Sequence, residues 1–91
     1  LVSITGVREG GIQLGIEIAN QPGAMKPVFD LLRAHGARIL SVLSANNQEG
    51  NRKVFLRLRE MENREAEEAV IADVKEHAHL LYWARNEVHL V

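Results

Sequence analysis

The turn from Asn20 to Met25, which reads N-Q-P-G-A-M, is the part of this sequence best suited to hold a small molecule. It precedes residues at helical spacing, so its main-chain N–H groups are unpaired donors at the positive end of a helix dipole. The donors are those of Ala24, Met25 and Lys26. Gly23 has no side chain to keep a ligand from the backbone, and Asn20 offers a donor and an acceptor. These features predict a carboxylate site, although the same residues also fit a plain turn that binds nothing.

A basic and aromatic row, Lys53, Phe55, Arg57 and Arg59, is predicted to face outward from a later strand. Sheets of this kind bind RNA when aromatic residues on the central strands stack on bases. Here Phe55 is alone, because no aromatic residue faces outward from the first strand, and the formal charge of -1 gives no overall attraction to nucleic acid. We expect a solvated or dimer-facing surface and no nucleic-acid partner.

The histidines and serines form no recognisable catalytic or metal site. The four histidines are His35, His77, His79 and His89. No carboxylate stands at a recognised spacing from them, and His77 is better placed to end a helix, where the dipole favours its positive charge. Ser41 and Ser44 lie within a strand, with no histidine evidently placed to activate them. We therefore expect no metal, no cofactor and no catalysis.

Length and composition indicate one small domain that gains from a partner. The 91 residues are 46% hydrophobic and 25% charged. A chain of this size buries only about 60% of the surface that its unfolded form exposes. The absence of cysteine excludes disulfides and thiolate metal sites, so association with another chain is the stabilising route left open. No apolar run approaches the roughly 20 residues of a membrane span, and we expect no membrane partner.

Hydrophobic periodicity predicts the elements that carry these residues. Strict alternation indicates a strand over residues 12–19, and helical spacing indicates a helix over residues 25–35. Over residues 38–45, apolar residues occupy both alternating sets of positions, that is, both faces of a strand. This pattern predicts a strand covered on both faces, with Ile39 and Leu43 inward.

The second half of the chain repeats this strand and helix pattern. Alternation resumes over residues 53–59, followed by a helix over residues 64–77 with Asn63 as its N-cap. The acidic side chains at the start of this helix, Glu67 among them, are expected to be solvated. A last short strand is predicted over residues 80–83.

The order strand, helix, strand, strand, helix, strand predicts an α+β fold, the ferredoxin-like βαββαβ sandwich. In it, a four-stranded antiparallel sheet carries two helices on one face. The other face would show Leu40, Val42 and Phe55 among charged residues, a candidate contact surface. Residues 1–11 are expected to be a linker or the end of a preceding domain, and residues 84–91 a C-terminal extension with a further possible strand.

In two consecutive stretches the sequence resembles an ACT domain, the small regulatory module that binds amino acids. They are I-Q-L-G-I-E-I-A-N-Q-P-G-A-M (Ile12 to Met25) and V-F-D-L-L-R-A-H-G-A-R-I-L-S-V (Val28 to Val42). The likeness covers residues 12–83, and its most specific part is N-x-P-G before a helix. The lead-in L-V-S-I-T-G-V-R and the ending L-Y-W-A-R more narrowly resemble bacterial proteins of the acetoin-utilisation type. In those proteins a pair of CBS domains precedes the ACT domain.

The resemblance implies a homodimer, or a higher homo-oligomer, that binds an effector near the first strand–helix turn, often with two sheets aligned edge to edge. It places ligand contacts at Asn20, Gly23, Ala24, Met25, Arg38 and Ile39. Ile18 and Arg38 stand where the serine-binding dehydrogenases of the family have histidine and asparagine, so serine specificity is not implied. Arg38 could hold a carboxylate in a bidentate pair or serve at the interface.

Together these features predict a non-catalytic, cytoplasmic regulatory module. It would dimerise, bind a small carboxylate metabolite such as an amino acid, and report it to attached CBS domains. The alternative is a pure dimerisation module that holds an attached CBS region together without any effector.

Overall fold

The computed structural model describes residues 11–46 and 50–86, which form one sheet with two helices on one face. The elements are β1 (Gly11–Ala19), α1 (Lys26–Ala34), β2 (Ile39–Asn46), β3 (Asn51–Arg59), α2 (Arg64–His77) and β4 (His79–Asn86). The strands are antiparallel to their neighbours in the order β2-β3-β1-β4. The predicted ferredoxin-like fold is confirmed. Of the linker expected over residues 1–11, Gly11 begins β1 and the rest lies outside the described residues. Of the extension expected over residues 84–91, the first three residues continue β4, and residues 87–91 lie outside the described residues.

The core lies between the helices and one face of the two central strands. Its fully buried strand residues are Ile12, Leu14 and Ile16 of β1 and Val54, Leu56 and Leu58 of β3. Its buried helical residues are Val28, Leu31 and Leu32 of α1 and Val70, Ile71 and Val74 of α2. The strict alternation of β1 and β3 is the pattern that places these strand residues in the core.

Local signals set the helix boundaries as the sequence predicts. Pro27 lies in the first turn of α1, where its missing N–H costs no hydrogen bond. This helix ends at Ala34, and Gly36 follows at φ +73°, a backbone conformation that favours glycine. The Asn63 side chain accepts a hydrogen bond of 2.8 Å from the Ala66 N–H and so caps α2. Neither helix has the length and apolar composition needed to cross a membrane.

One acidic residue at the start of α2 is buried, contrary to expectation. Glu67 is 6% exposed and accepts hydrogen bonds from Nε (3.0 Å) and Nη2 (2.8 Å) of Arg85 on β4. The same guanidinium lies 5.7 Å from the centre of the Trp83 ring. An ion pair therefore fastens α2 to β4. Local periodicity could not show this contact because the two residues are 18 positions apart.

Strand β2 departs most from its prediction. We expected cover on both faces, but every residue after Ile39 is exposed, and Leu43 is 68% exposed. The strand lies at an edge of the sheet and pairs with β3 on one side. A strand that is apolar in both registers is therefore left uncovered in the single chain.

A β-bulge at Leu40 changes which side chains of β2 face the core. Ile39 and Ser41 pair with consecutive residues of β3, so Leu40 has no cross-strand partner. Because side chains alternate, this extra residue moves every later side chain to the opposite face. Leu43, expected inward, lies on the outer face, and Val42, expected outward, lies on the helix side.

Removing the arginine of the α2–β4 ion pair should destabilise the fold. Arg85→Met leaves the Glu67 carboxylate buried without its donor, which should cost about 2 kcal/mol of unfolding free energy. Urea unfolding measures this change. The double variant Glu67→Met/Arg85→Met should recover part of the loss, since an apolar pair can replace a buried ion pair. An Arg85→Met midpoint equal to that of wild type would contradict this role.

Candidate functional site

The β1–α1 turn presents open backbone at the start of a helix. Gly23 has φ +79°, and an added Cβ would meet nothing within 4 Å, so the space beside it is free. Met25 stands at the N-cap position of α1 without a side-chain cap. Backbone and helix dipole together favour an anion here, as the sequence predicts.

Hydrogen bonds inside the turn reduce the number of donors that a ligand can use. The Ala24 N–H donates to the Gln21 carbonyl at 3.3 Å, and the Lys26 N–H donates to the Gly23 carbonyl at 3.2 Å. Two of the three predicted donors are therefore engaged. Among the described residues, the Met25 N–H has no such main-chain partner.

The side chains of the turn differ in their availability. Asn20 is exposed, and its N–H donates to the Gly50 carbonyl at 3.0 Å, which anchors the turn to the start of β3. Met25 is buried in the core, so only its backbone can meet a ligand. Lys26 Nζ donates to the Asp30 carboxylate at 2.8 Å, and this hydrogen bond lowers the pKa of Asp30 below its ordinary value of 3.8. The lysine is thus directed along the helix rather than across the turn.

The structure does not bring Arg38 and Ile39 to this turn. Strands β1 and β2 run in the same direction, because each is antiparallel to β3. The start of β2 therefore lies at the far end of the sheet, about 25 Å away at the usual rise per residue. There the Arg38 carbonyl accepts a hydrogen bond of 2.8 Å from the Arg59 N–H. One chain alone does not assemble the predicted ligand set.

Arg52 is a charged residue at the turn end of the sheet that we did not predict. It is the register partner of Ile18, two residues before Asn20, and it lies on the helix side of β3. Its Nε is buried and has no hydrogen-bond partner among the described residues. A buried guanidinium N–H requires an acceptor, which a ligand carboxylate could supply. The inward register of Val54 extends to position 52, and that alternation was the available signal.

No protein-family model matches the chain, and no curated protein matches it in sequence. Solved structures match its fold. The ACT domain of GTP pyrophosphokinase from Chlorobium tepidum aligns with a TM-score of 0.61 at 10% identity, over 84% of this chain and 97% of that one. The ligand-free regulatory subunit of aspartate kinase from Thermus thermophilus aligns with a TM-score of 0.61 at 19% identity, over 84% and 50%. The fold is ACT-like.

A third solved structure shows that this fold also occurs within longer chains of other kinds. GqqA, described as a novel type of quorum-quenching acylase, aligns with a TM-score of 0.66 at 12% identity over 88% of this chain. The alignment covers 41% of the acylase chain. Identities this low show the common fold and nothing further about activity.

A second polar cluster links the two helices of the ACT-like fold. Asp73 Oδ2 lies 2.9 Å from His35 Nε2 at the end of α1, and Asp73 Oδ1 lies 3.3 Å from His77 Nδ1. Ligand atoms of Asp73, Glu76 and His77 lie within 4.8 Å of one another, the spacing that a metal ion requires. We did not predict the His35–Asp73 contact, because the two residues are 38 positions apart. The expectation that no carboxylate stands at a suitable spacing from a histidine was wrong for His77, since Asp73 lies four residues before it on the same helix. The Glu76 and His77 side chains are exposed on one helix turn, and we assign no metal to them.

The outer sheet face carries an apolar stripe. Leu43, Phe55, Gly15 and Tyr82 are in register across β2, β3, β1 and β4. The Tyr82 ring covers Gly15 so closely that a Cβ added there would overlap it. In the single chain Tyr82 is 42% exposed.

Proposed function

We propose that this chain is a regulatory module that binds a small carboxylate metabolite, such as an amino acid, at its β1–α1 turn. The open backbone beside Gly23, at the start of α1, is the observation that carries the proposal. The buried Nε of Arg52 supplies a cationic group at the same end of the sheet. The ACT-like fold supports the proposal, since one neighbour is described as a regulatory subunit.

The functional unit of this proposal is a homodimer paired along β2. Two copies of an edge strand related by a two-fold axis run antiparallel, so the start of one lies beside the end of the other. Since β2 runs in the direction of β1, pairing moves Arg38 of the partner subunit toward the sheet end that holds Asn20 and Gly23. Pairing also covers the exposed Val42 and the unpaired edge. The ligand would thus lie where the two copies meet.

The module would act on CBS domains attached in the parent protein, as the sequence likeness implies. A ligand couples to such a partner only if it binds two arrangements of the dimer with different affinity. The second candidate function is assembly without an effector. The exposed apolar residues of β2 favour that candidate equally, because they gain from a partner whether or not a ligand binds.

A substitution in the turn tests the ligand site. Calorimetric titration with the twenty amino acids should identify at least one that binds. Gly23→Asp should weaken it at least tenfold by filling the open space and repelling a carboxylate. Gly36→Asp is the matched control, since Gly36 has a similar φ of +73° and equally open surroundings at the other end of α1. If no amino acid binds at millimolar concentration, assembly alone remains; equal losses in both variants would place the ligand elsewhere.

Arg52 should contribute to affinity through the carboxylate. Arg52→Gln is expected to weaken the same amino acid about tenfold, the effect of losing a hydrogen bond to a charged group. Arg33→Gln, a substitution on the exposed side of α1, should leave affinity unchanged. Calorimetric titration of both variants measures these affinities. Wild-type affinity in Arg52→Gln would show that the Arg52 side chain does not bind the ligand.

A charge at the centre of β2 should disrupt the dimer. Val42→Lys places like charges near the two-fold axis and should shift sedimentation from dimer toward monomer. Leu81→Lys, on the other edge strand and similarly exposed (38% against 43%), should leave the dimer intact. A monomeric wild type would contradict the pairing, and dissociation by Leu81→Lys alone would move the interface to β4.

A further inference from the structure

An aromatic platform lies at the centre of the outer sheet face. Tyr82 comes from the edge strand β4, but its ring lies over Gly15 of the central strand β1. The Phe55 and Tyr82 ring centres are 6.4 Å apart, and the ring planes differ by 38°. The missing side chain at position 15 therefore allows a second aromatic ring to reach the middle of the sheet. The absence of such a ring was the reason for expecting no nucleic-acid partner.

Polar groups border the platform. A shallow cavity of about 380 Å³ on this face is lined by both rings and by Gln13, Ser41 and Arg57 among others. An amide and a hydroxyl can pair with the edge of a base, and a guanidinium can pair with a phosphate. Proteins that bind single-stranded nucleic acids combine aromatic side chains, on which bases stack, with cationic groups that contact the backbone, and this face has both.

The charge of this face favours an anionic occupant. Outward positions of β3 hold Lys53, Arg57 and Arg59, whereas Glu17, opposite Lys53, is the one acidic residue at an outward strand position in the described chain. The face is cationic although the whole chain carries a formal charge of -1. A second copy stacked face to face would bring two cationic rows together, which disfavours that occupant.

We propose that the outer sheet face binds an unpaired nucleobase with its adjoining phosphate. The base stacks on Phe55 and Tyr82, and Arg57 pairs with the phosphate. The surface is separate from the β1–α1 turn, so this site does not depend on amino-acid binding there. A single strand and a free nucleotide offer the same chemistry, and the experiment distinguishes them.

Binding of a short single-stranded oligouridylate at low salt, followed by fluorescence anisotropy, tests the platform. Tyr82→Leu should weaken binding at least about fivefold, the contribution of one stacked base, while Tyr82→Phe should retain it. Trp83→Leu is the matched control, because Trp83 is adjacent, equally exposed (41% against 42%) and in register with the core residue Leu14. Arg57→Gln should reduce the salt dependence of binding by about one phosphate contact.

The outcomes separate the sources of the ligand and the rival occupant. Binding of uridine monophosphate with comparable affinity supports a free nucleotide, and binding of the oligonucleotide alone supports a strand. No binding by the wild-type chain at low salt, or an equal loss in Trp83→Leu, overturns the proposal. Loss of self-association in Tyr82→Leu, with no effect on nucleotide binding, would assign this face to a second copy instead.

Discussion

The position of β1 at the centre of a sheet covered on one side only is the constraint on which the rest of the structure depends. Its inward residues Ile12, Leu14 and Ile16 are fully buried beneath the helices, and their burial stabilises the core. This strand is paired with β3 on one side and with β4 on the other. The Asn20 turn begins where the strand ends, and the Tyr82 ring of β4 lies over the outer side of Gly15. Both candidate sites are therefore built on the same strand.

The two edge strands, β2 and β4, each carry a β-bulge. Strand β2 has its extra residue at Leu40, and β4 has one at Leu81, where the pairing with β1 shifts between Gly15 and Ile16. Each bulge reverses the facing of the later residues in its strand. Leu43 faces outward as a result, and Tyr82 lies opposite Gly15. The apolar stripe on the outer face exists because of these two local shifts.

Sequence patterns predicted the parts of the fold that depend on local order. Strict alternation identified β1 and β3, and the Asn63 cap identified the start of α2. The bulge in β2 was not predictable, since a strand that is apolar in both registers gives no preference for either face. Contacts distant in sequence were also missed, such as Glu67 with Arg85. Side-chain charge alone could not show that a carboxylate would be buried against an arginine.

Four of the six predicted ligand residues lie together at the β1–α1 turn, whereas Arg38 and Ile39 lie at the opposite end of the sheet. Gly23 and its neighbours are adjacent in sequence, so the turn could be predicted from type and spacing. Arg38 was included only because the sequence resembles an ACT domain. It lies at the opposite end of the sheet because β2 runs in the same direction as β1, and a sequence pattern does not specify strand direction. The alternation of β3 predicts the face on which Arg52 lies, but no sequence pattern marks this residue as functional. The residues of the turn were therefore predictable from the sequence, whereas the position of Arg38 was not.

Both proposals, the dimer paired along β2 and the nucleobase site on the outer sheet face, involve the edge strand β2. Pairing along β2 extends one sheet across two copies with a two-fold axis perpendicular to it, so both outer faces lie on the same side. Leu43 lines the outer cavity and belongs to β2, so the proposed pairing would place the two cavities next to the dimer axis. A single strand could then contact both platforms, and the second contact would be intramolecular and favoured by effective concentration. A mononucleotide gains nothing from this arrangement, so dimerisation should increase affinity for a strand and leave affinity for a free nucleotide unchanged.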